Sequence, residues 1–198
     1  TEGMIAAMMA TADPGDEVII FEPFYENYAP DAILSDAVPV YVPLYRAENG
    51  FLFDREQLRA AFSERTKAII ICNPNNPTAD RHPHELVLDA ARQLHKRGGW
   101  LIVDEAFVDA TPELSVTPLA GTPEAPNLIV LRSLGKFFGL AGVRVGFVFA
   151  APELLRRMQE AMGPWAVSGP SREAARLALA DTAWQATARP QLQAAGER

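Results

Sequence analysis

A lysine in a glycine-rich, otherwise apolar segment is the first feature of this sequence that could do chemistry. Residues 131–146 begin at the end of an apolar run and carry Ser133, Lys136 and Arg144. Burial favours the uncharged form of an amine, and an uncharged amine attacks an aldehyde. A serine hydroxyl and an arginine guanidinium are groups that hold a phosphate. The segment therefore favours a lysine nucleophile beside a phosphate site. The alternative is a solvated loop lysine and a surface arginine.

Asp104 is the second candidate, because it ends the apolar run 100–103 and precedes Glu105. A carboxylate at the carboxyl end of a parallel strand lies where ligands bind in open α/β sheets. The same pattern occurs in the Walker B strand of ATPases, which also need a phosphate loop of the form G-x-x-x-x-G-K-[ST]. The sequence contains no such loop. A ligand-binding aspartate and an aspartate that caps a turn are the interpretations that remain.

Asn76 and Tyr25 each follow another apolar run. Residues 73–78 contain two prolines and three asparagines, which predicts a rigid turn around Asn76. That turn is either part of a site or an ordinary loop. Tyr25 is either a ring that stacks on a ligand or a core aromatic residue.

Apolar runs and helical patterns alternate along the chain, and they must position these groups. The runs typical of strands are 18–21, 38–42, 68–72, 100–103, 128–131 and 143–149. The helical patterns are 2–11, 26–36, 54–62, 83–97, 152–161 and 171–180. Near-continuous apolarity predicts strands that are buried on both faces. The alternation predicts an α/β fold, with a mostly parallel mixed sheet and helices on both faces.

Composition limits the class of partner. The chain has 198 residues, 48% of them hydrophobic, and a formal net charge of −7. An acidic balance argues against nucleic-acid binding, and no apolar run is long enough to cross a membrane. The single cysteine favours a cytoplasmic setting. The three histidines, His82, His84 and His95, have no carboxylate or thiol placed to complete a metal site, so no metal is expected.

The lysine segment resembles the S-x-x-K signature of fold-type I pyridoxal 5′-phosphate (PLP) enzymes, the aminotransferase class I/II family. The resemblance implies that Lys136 forms an aldimine with PLP. It also implies that Arg144, eight residues later, holds the PLP phosphate together with Ser133. Asp104 lies in Asp-Glu-Ala-Phe, similar to the family's D-E-A-[YF], whose aspartate pairs with the pyridine nitrogen. That pair keeps the ring protonated, so that it withdraws electrons.

The same resemblance covers nearly the whole chain and adds three cofactor-binding residues. Asn76, in Asn-Pro-Thr, would bond the ring oxygen, and Tyr25 would stack on the ring. The family usually continues N-P-T-G, whereas Ala79 stands in the place of that glycine. Thr1 resembles the threonine of a family motif at a helix amino end, where it would hold the phosphate.

The resemblance also sets the expected organisation of the chain. Residues 1–150 would form the PLP-binding large domain, incomplete at its amino end. Residues 151–198 would be a helical continuation toward a small domain. We therefore expect a fragment that lacks an N-terminal segment and most of the C-terminal small domain. Because family active sites form at a dimer interface, the full-length protein would be a homodimer, and the fragment alone could be inactive.

Two halves of the chain resemble different members of the family. Residues 1–72 are most similar to aspartate-type class I aminotransferases, and residues 73–190 to the threonine-phosphate decarboxylases of cobalamin biosynthesis. The favoured function is decarboxylation of L-threonine O-3-phosphate to aminopropanol phosphate. The first alternative is an aminotransferase of the aspartate, aromatic or histidinol-phosphate type. The second is a non-catalytic, aminotransferase-like sensor domain of a transcription regulator.

Overall fold

A seven-stranded sheet forms the centre of the computed structural model, which describes residues 2–48 and 50–196. Its strands are β1 (Glu17–Glu22), β2 (Val38–Ala47), β3 (Gly50–Phe53), β4 (Thr66–Cys72), β5 (Trp100–Asp104), β6 (Leu128–Ser133) and β7 (Gly146–Phe149). The strand order is β3-β2-β1-β4-β5-β6-β7. Strands β2, β1, β4, β5 and β6 pair in parallel with one another. At the two edges, β3 pairs antiparallel with β2, and β7 pairs antiparallel with β6. The predicted mixed, mostly parallel sheet is confirmed.

Helices cover both faces of this sheet. They are α1 (Glu2–Thr11), α2 (Tyr28–Leu34), α3 (Arg55–Ala61), α4 (His84–His95), α5 (Pro152–Met162), α6 (Gly169–Ala180) and α7 (Thr182–Gly196). Neighbouring residues of β1 belong to different cores, as the alternation of strand side chains requires. Ile20 packs in the cluster that contains α1, α2 and α5, and Ile19 packs in the cluster that contains α4. None of the described helices has the length and apolarity needed to cross a bilayer.

Local signals in the sequence account for where two helices begin and end. The Asp54 carboxylate accepts hydrogen bonds from the Glu56 and Gln57 amides at 2.7 and 3.2 Å, which caps the amino end of α3. Gly98 has φ +71°, a left-handed conformation that glycine adopts without strain. This turn separates α4 from β5.

The edges of the sheet differ from the prediction. Strand β3 was not predicted, and it forms a hairpin in which Leu44 pairs with Phe53. The last strand begins at Gly146 instead of residue 143, because residues 141–143 form a 3₁₀ turn and Arg144 has φ +54°. The left-handed residue ends the turn and directs the chain into β7.

Parallel pairing brings four functional segments to one edge. Strands β1, β4, β5 and β6 all end at the same side of the sheet, and each is followed by one of the segments identified above. This is the side at which open α/β sheets bind their ligands.

Candidate active site

A cavity of about 250 Å³ is lined by residues from the carboxyl ends of these strands. Six of the seven predicted site residues line it: Tyr25, Asn76, Asp104, Ser133, Lys136 and Arg144. The seventh, Thr1, lies outside the described residues. Glu2 and Gly3, which follow it, also line the cavity.

Asp104, the last residue of β5, presents a carboxylate held from both sides. Its Oδ1 accepts a hydrogen bond from the Ala106 amide at 3.0 Å, and its Oδ2 accepts one from the Tyr28 hydroxyl at 2.8 Å. Burial raises the pKa of this carboxyl group, and the two hydrogen bonds and the charge of Lys136 oppose the shift. A cationic ligand group beside Asp104 would therefore stabilise its charged form.

Tyr28 is a site residue that the sequence analysis did not identify. It is buried at the start of α2 and lines the cavity. Burial and the neighbouring Asp104 raise its pKa far above the ordinary tyrosine value, so the hydroxyl remains a donor. Its position three residues after Tyr25, at the predicted helix start, is the signal that could have pointed to it. The ring of Tyr25 meets that of Tyr28 edge-on, with 5.6 Å between centroids.

Lys136 lies at the edge of the cavity and is exposed, which corrects the expectation that it is buried. Its buried neighbours Leu134 and Phe137 anchor the loop instead. The Lys136 ammonium lies 5.1 Å from the ring centroid of Phe107, which is within cation–π range. The Ser133 hydroxyl accepts a hydrogen bond from the Gly135 amide at 3.0 Å, and this bond shapes the turn before the lysine.

Arg144 presents a further positive charge to the same cavity, which Arg132 and Lys136 also line. Its side chain is exposed, and its Nη1 donates a hydrogen bond to the Ala141 carbonyl at 2.9 Å. The left-handed backbone at Arg144 turns this residue out of the line of β7. A guanidinium so placed can bind an anionic group of a ligand.

Asn73 fixes the loop that carries Asn76. Its side chain is completely buried. Its Oδ1 accepts a hydrogen bond from the His82 amide at 2.9 Å, and its Nδ2 donates one to the His82 carbonyl at 3.0 Å, which joins the two ends of the loop 74–82. Its own amide donates to the Asp104 carbonyl at 2.9 Å. The loop of Asn76 is therefore tied directly to the end of β5. Within it, Ala79 has φ +61°.

These groups fit PLP. A buried carboxylate with a raised pKa suits a protonated ring nitrogen, and a lysine amine lines the same cavity. Arg144 and Ser133 supply donors for a phosphate, and Tyr25 supplies an aromatic face. Bound there, the cofactor supplies a ring that withdraws electrons from a substrate.

The chain is similar to proteins of one known family. Residues 1–195 match the family described as aminotransferase class I and II. The threonine-phosphate decarboxylase of Pseudomonas aeruginosa is 50% identical over 66% of the chain, and that of a Sinorhizobium species is 42% identical over 86%. The three-dimensional structure of N-succinyldiaminopimelate aminotransferase from Mycobacterium tuberculosis matches the whole chain with a TM-score of 0.85 and 31% identity. The chain spans 38% and 46% of the two decarboxylases and 53% of the aminotransferase.

Proposed function

Because this chain belongs to the class I and II aminotransferase family, whose enzymes depend on PLP, we propose that it forms the cofactor site of a PLP-dependent enzyme. The reaction that we favour is decarboxylation of L-threonine O-3-phosphate to aminopropanol phosphate. The observation that carries this choice is the 50% identity to a threonine-phosphate decarboxylase. A second decarboxylase is similar over 86% of the chain, so that similarity extends into the first 72 residues.

We propose a task for each of the side chains that line the cavity. Lys136 would hold the cofactor and move a proton near the substrate. Asp104, oriented by Tyr28, would keep the proton on the ring nitrogen. Arg144 and Ser133 would bind the phosphate of the cofactor.

Two further side chains would orient the ring. Tyr25 would stack on it, and Asn76 would donate a hydrogen bond to its ring oxygen. Both contacts restrict how the cofactor can tilt in the cavity.

Decarboxylation and amino transfer share this machinery. Which bond of the substrate breaks would depend on how the substrate is oriented on the cofactor. Residues that hold the substrate's carboxylate or phosphate therefore choose between the two reactions. An aminotransferase is the second candidate, because an aminotransferase structure matches the whole chain with a TM-score of 0.85.

The organisation of the whole protein is part of the proposal. Residues 1–150 would form the PLP-binding domain, and residues 151–198 would be a helical continuation toward a small domain. The full-length protein would act as a homodimer in the cytoplasm.

The test supplies the full-length protein with PLP and L-threonine O-3-phosphate, without an oxo acid, and measures carbon dioxide. We expect the wild type to release one carbon dioxide for each substrate molecule consumed. A Lys96→Ala control, which changes an exposed lysine after α4, should do the same. We expect none from Lys136→Ala. Amino transfer on addition of an oxo acid, without carbon dioxide release, would instead identify an aminotransferase.

A further inference from the structure

A largely buried group of charged residues adjoins the site, and one of its members, Arg132, also lines the cavity. Glu105 follows Asp104, Arg132 precedes Ser133, and Asp109 lies in the loop after β5. The Glu105 side chain is completely buried, whereas those of Asp109 and Arg132 are 10% and 22% exposed. None of the three has a task in the proposed chemistry.

Hydrogen bonds fix the Glu105 carboxylate. It accepts from the Ser115 hydroxyl at 2.6 Å, the Val116 amide at 2.5 Å and the Thr117 hydroxyl at 2.8 Å. These bonds fold residues 105–117 back against the end of β5. Buried carboxylates are also usually paired with a positive charge.

Arg132 supplies that charge from the neighbouring strand. Its Nη1 lies 3.7 Å from Glu105 Oε2, and its Nη2 donates to Asp109 Oδ1. One guanidinium therefore bridges two carboxylates of the loop. In addition, the Glu105 amide donates to the Leu131 carbonyl at 2.8 Å, which joins the two strand ends.

The loop and the strand end that Arg132 joins both carry groups of the cavity. On one side, Ala106, the second residue of the loop, donates its amide to the Asp104 carboxylate at 3.0 Å. On the other side, Ser133 follows Arg132 and bonds the turn that leads to Lys136. A movement of the loop relative to β6 would therefore change the distance between Asp104 and Lys136.

We propose that Arg132 is a positioning residue that sets the spacing of Asp104 and Lys136 by clamping residues 105–117 to the end of β6. The proposal rests on the PLP site proposed above. Misplacing a reacting group by about 1 Å can cost about a hundredfold in rate, so a clamp of this kind has a functional consequence.

The test compares Arg132→Met and Arg132→Lys with a matched control, Arg65→Met. Arg65 also bonds a nearly buried carboxylate, that of Glu17, but at the amino end of β1, opposite the cavity. Lysine at position 132 keeps the charge and loses the two-pronged guanidinium. The readouts, without substrate, are the PLP dissociation constant and the pH midpoint of the visible absorption of bound PLP. Hydrogen exchange of residues 105–107 and 133–137 is measured without cofactor.

We expect Arg132→Met to weaken PLP binding by about tenfold or more, to shift the pH midpoint and to accelerate exchange in both segments. Arg132→Lys should give smaller changes in the same direction. Arg65→Met should lower the unfolding temperature and leave all three readouts unchanged. Wild-type values of all three readouts in Arg132→Lys would overturn the proposal, even if the methionine variant fails to fold. If the wild type binds no PLP, the proposed function fails, and hydrogen exchange still decides the role of Arg132.

Discussion

The hydroxyl of Tyr28 donates a hydrogen bond of 2.8 Å to Oδ2 of Asp104, joining the start of α2 to the end of β5 across 76 residues of sequence. The bond stabilises the charged form of a carboxylate whose pKa burial raises. Through this bond Tyr28, which the sequence analysis did not identify, influences the charge of Asp104 in the cavity.

Replacement of Tyr28 by phenylalanine should weaken PLP binding and destabilise the protein. Removing the hydroxyl leaves a buried acceptor without its partner, which costs about 1–3 kcal/mol, so we expect a loss of about that size in the free energy of unfolding. Tyr25→Phe is the matched control, since its hydroxyl accepts only a bond from Asn27 among the contacts described. Equal PLP dissociation constants for the two variants would contradict the role of Tyr28.

Asp104→Asn should stabilise the protein without cofactor at neutral pH while weakening PLP binding. Because burial raises the folded pKa of Asp104, the folded chain keeps a proton that the unfolded chain has lost. Stability therefore falls as the pH rises from the ordinary value of about 3.9 to the raised folded value. Asparagine removes this loss, and the Tyr28 hydroxyl can turn to accept from its amide.

Thermal unfolding of Asp104→Asn against pH measures this effect. The advantage of the variant should be largest near neutral pH and should shrink as the pH approaches the ordinary aspartate value. A variant that is less stable than the wild type at neutral pH would show that burial of the Asp104 carboxyl group does not destabilise the folded protein.

Arg144→Gln should weaken the binding of PLP by about tenfold or more, because a charged hydrogen bond to the phosphate is lost. Pyridoxal lacks that phosphate, so its binding should change little. Arg157→Gln, on the exposed side of α5, serves as the control. Equal losses for the two ligands would show that Arg144 does not bind the phosphate.

Ala79→Gly should stabilise the loop of Asn76. Ala79 has φ +61°, and a left-handed conformation costs an L-residue about 1–2 kcal/mol. Glycine avoids this strain but loses about 0.5–1 kcal/mol more in backbone entropy, so we expect a net gain of roughly 0.5 kcal/mol. Denaturant unfolding measures it, and Ala90→Gly, within α4, should instead destabilise by about 1 kcal/mol. A loss of stability at position 79 would contradict the assigned strain.

The sequence predicted the central strands well because parallel strands buried on both faces appear as uninterrupted apolar runs. Strand β3 was missed because its four residues form an edge hairpin whose pairing with β2 depends on a turn, not on buried alternation. The start of β7 was placed three residues early, since nothing local marks Arg144 as left-handed.

The sequence also predicted most of the residues of the site, but not the long-range contacts that hold them. Residues at the ends of parallel strands converge, so Asn76, Asp104 and Lys136 could be grouped from sequence. The hydrogen bond of Tyr28 to Asp104 and the ion pair of Arg132 with Asp109 depend on long-range packing that no local pattern encodes. The exposure of Lys136 was mispredicted for the same reason, because apolar neighbours in sequence are not necessarily neighbours in space.

The most direct measurement of the central claim is the identity of the lysine that carries PLP. The full-length protein is incubated with PLP, reduced with borohydride, digested and analysed by peptide mass mapping. Of the three lysines in this chain, Lys67, Lys96 and Lys136, only Lys136 should be labelled. The label should disappear in a folded Lys136→Ala variant. A label on Lys67 or Lys96 in the wild type, or one that persists within this chain in Lys136→Ala, would contradict the account.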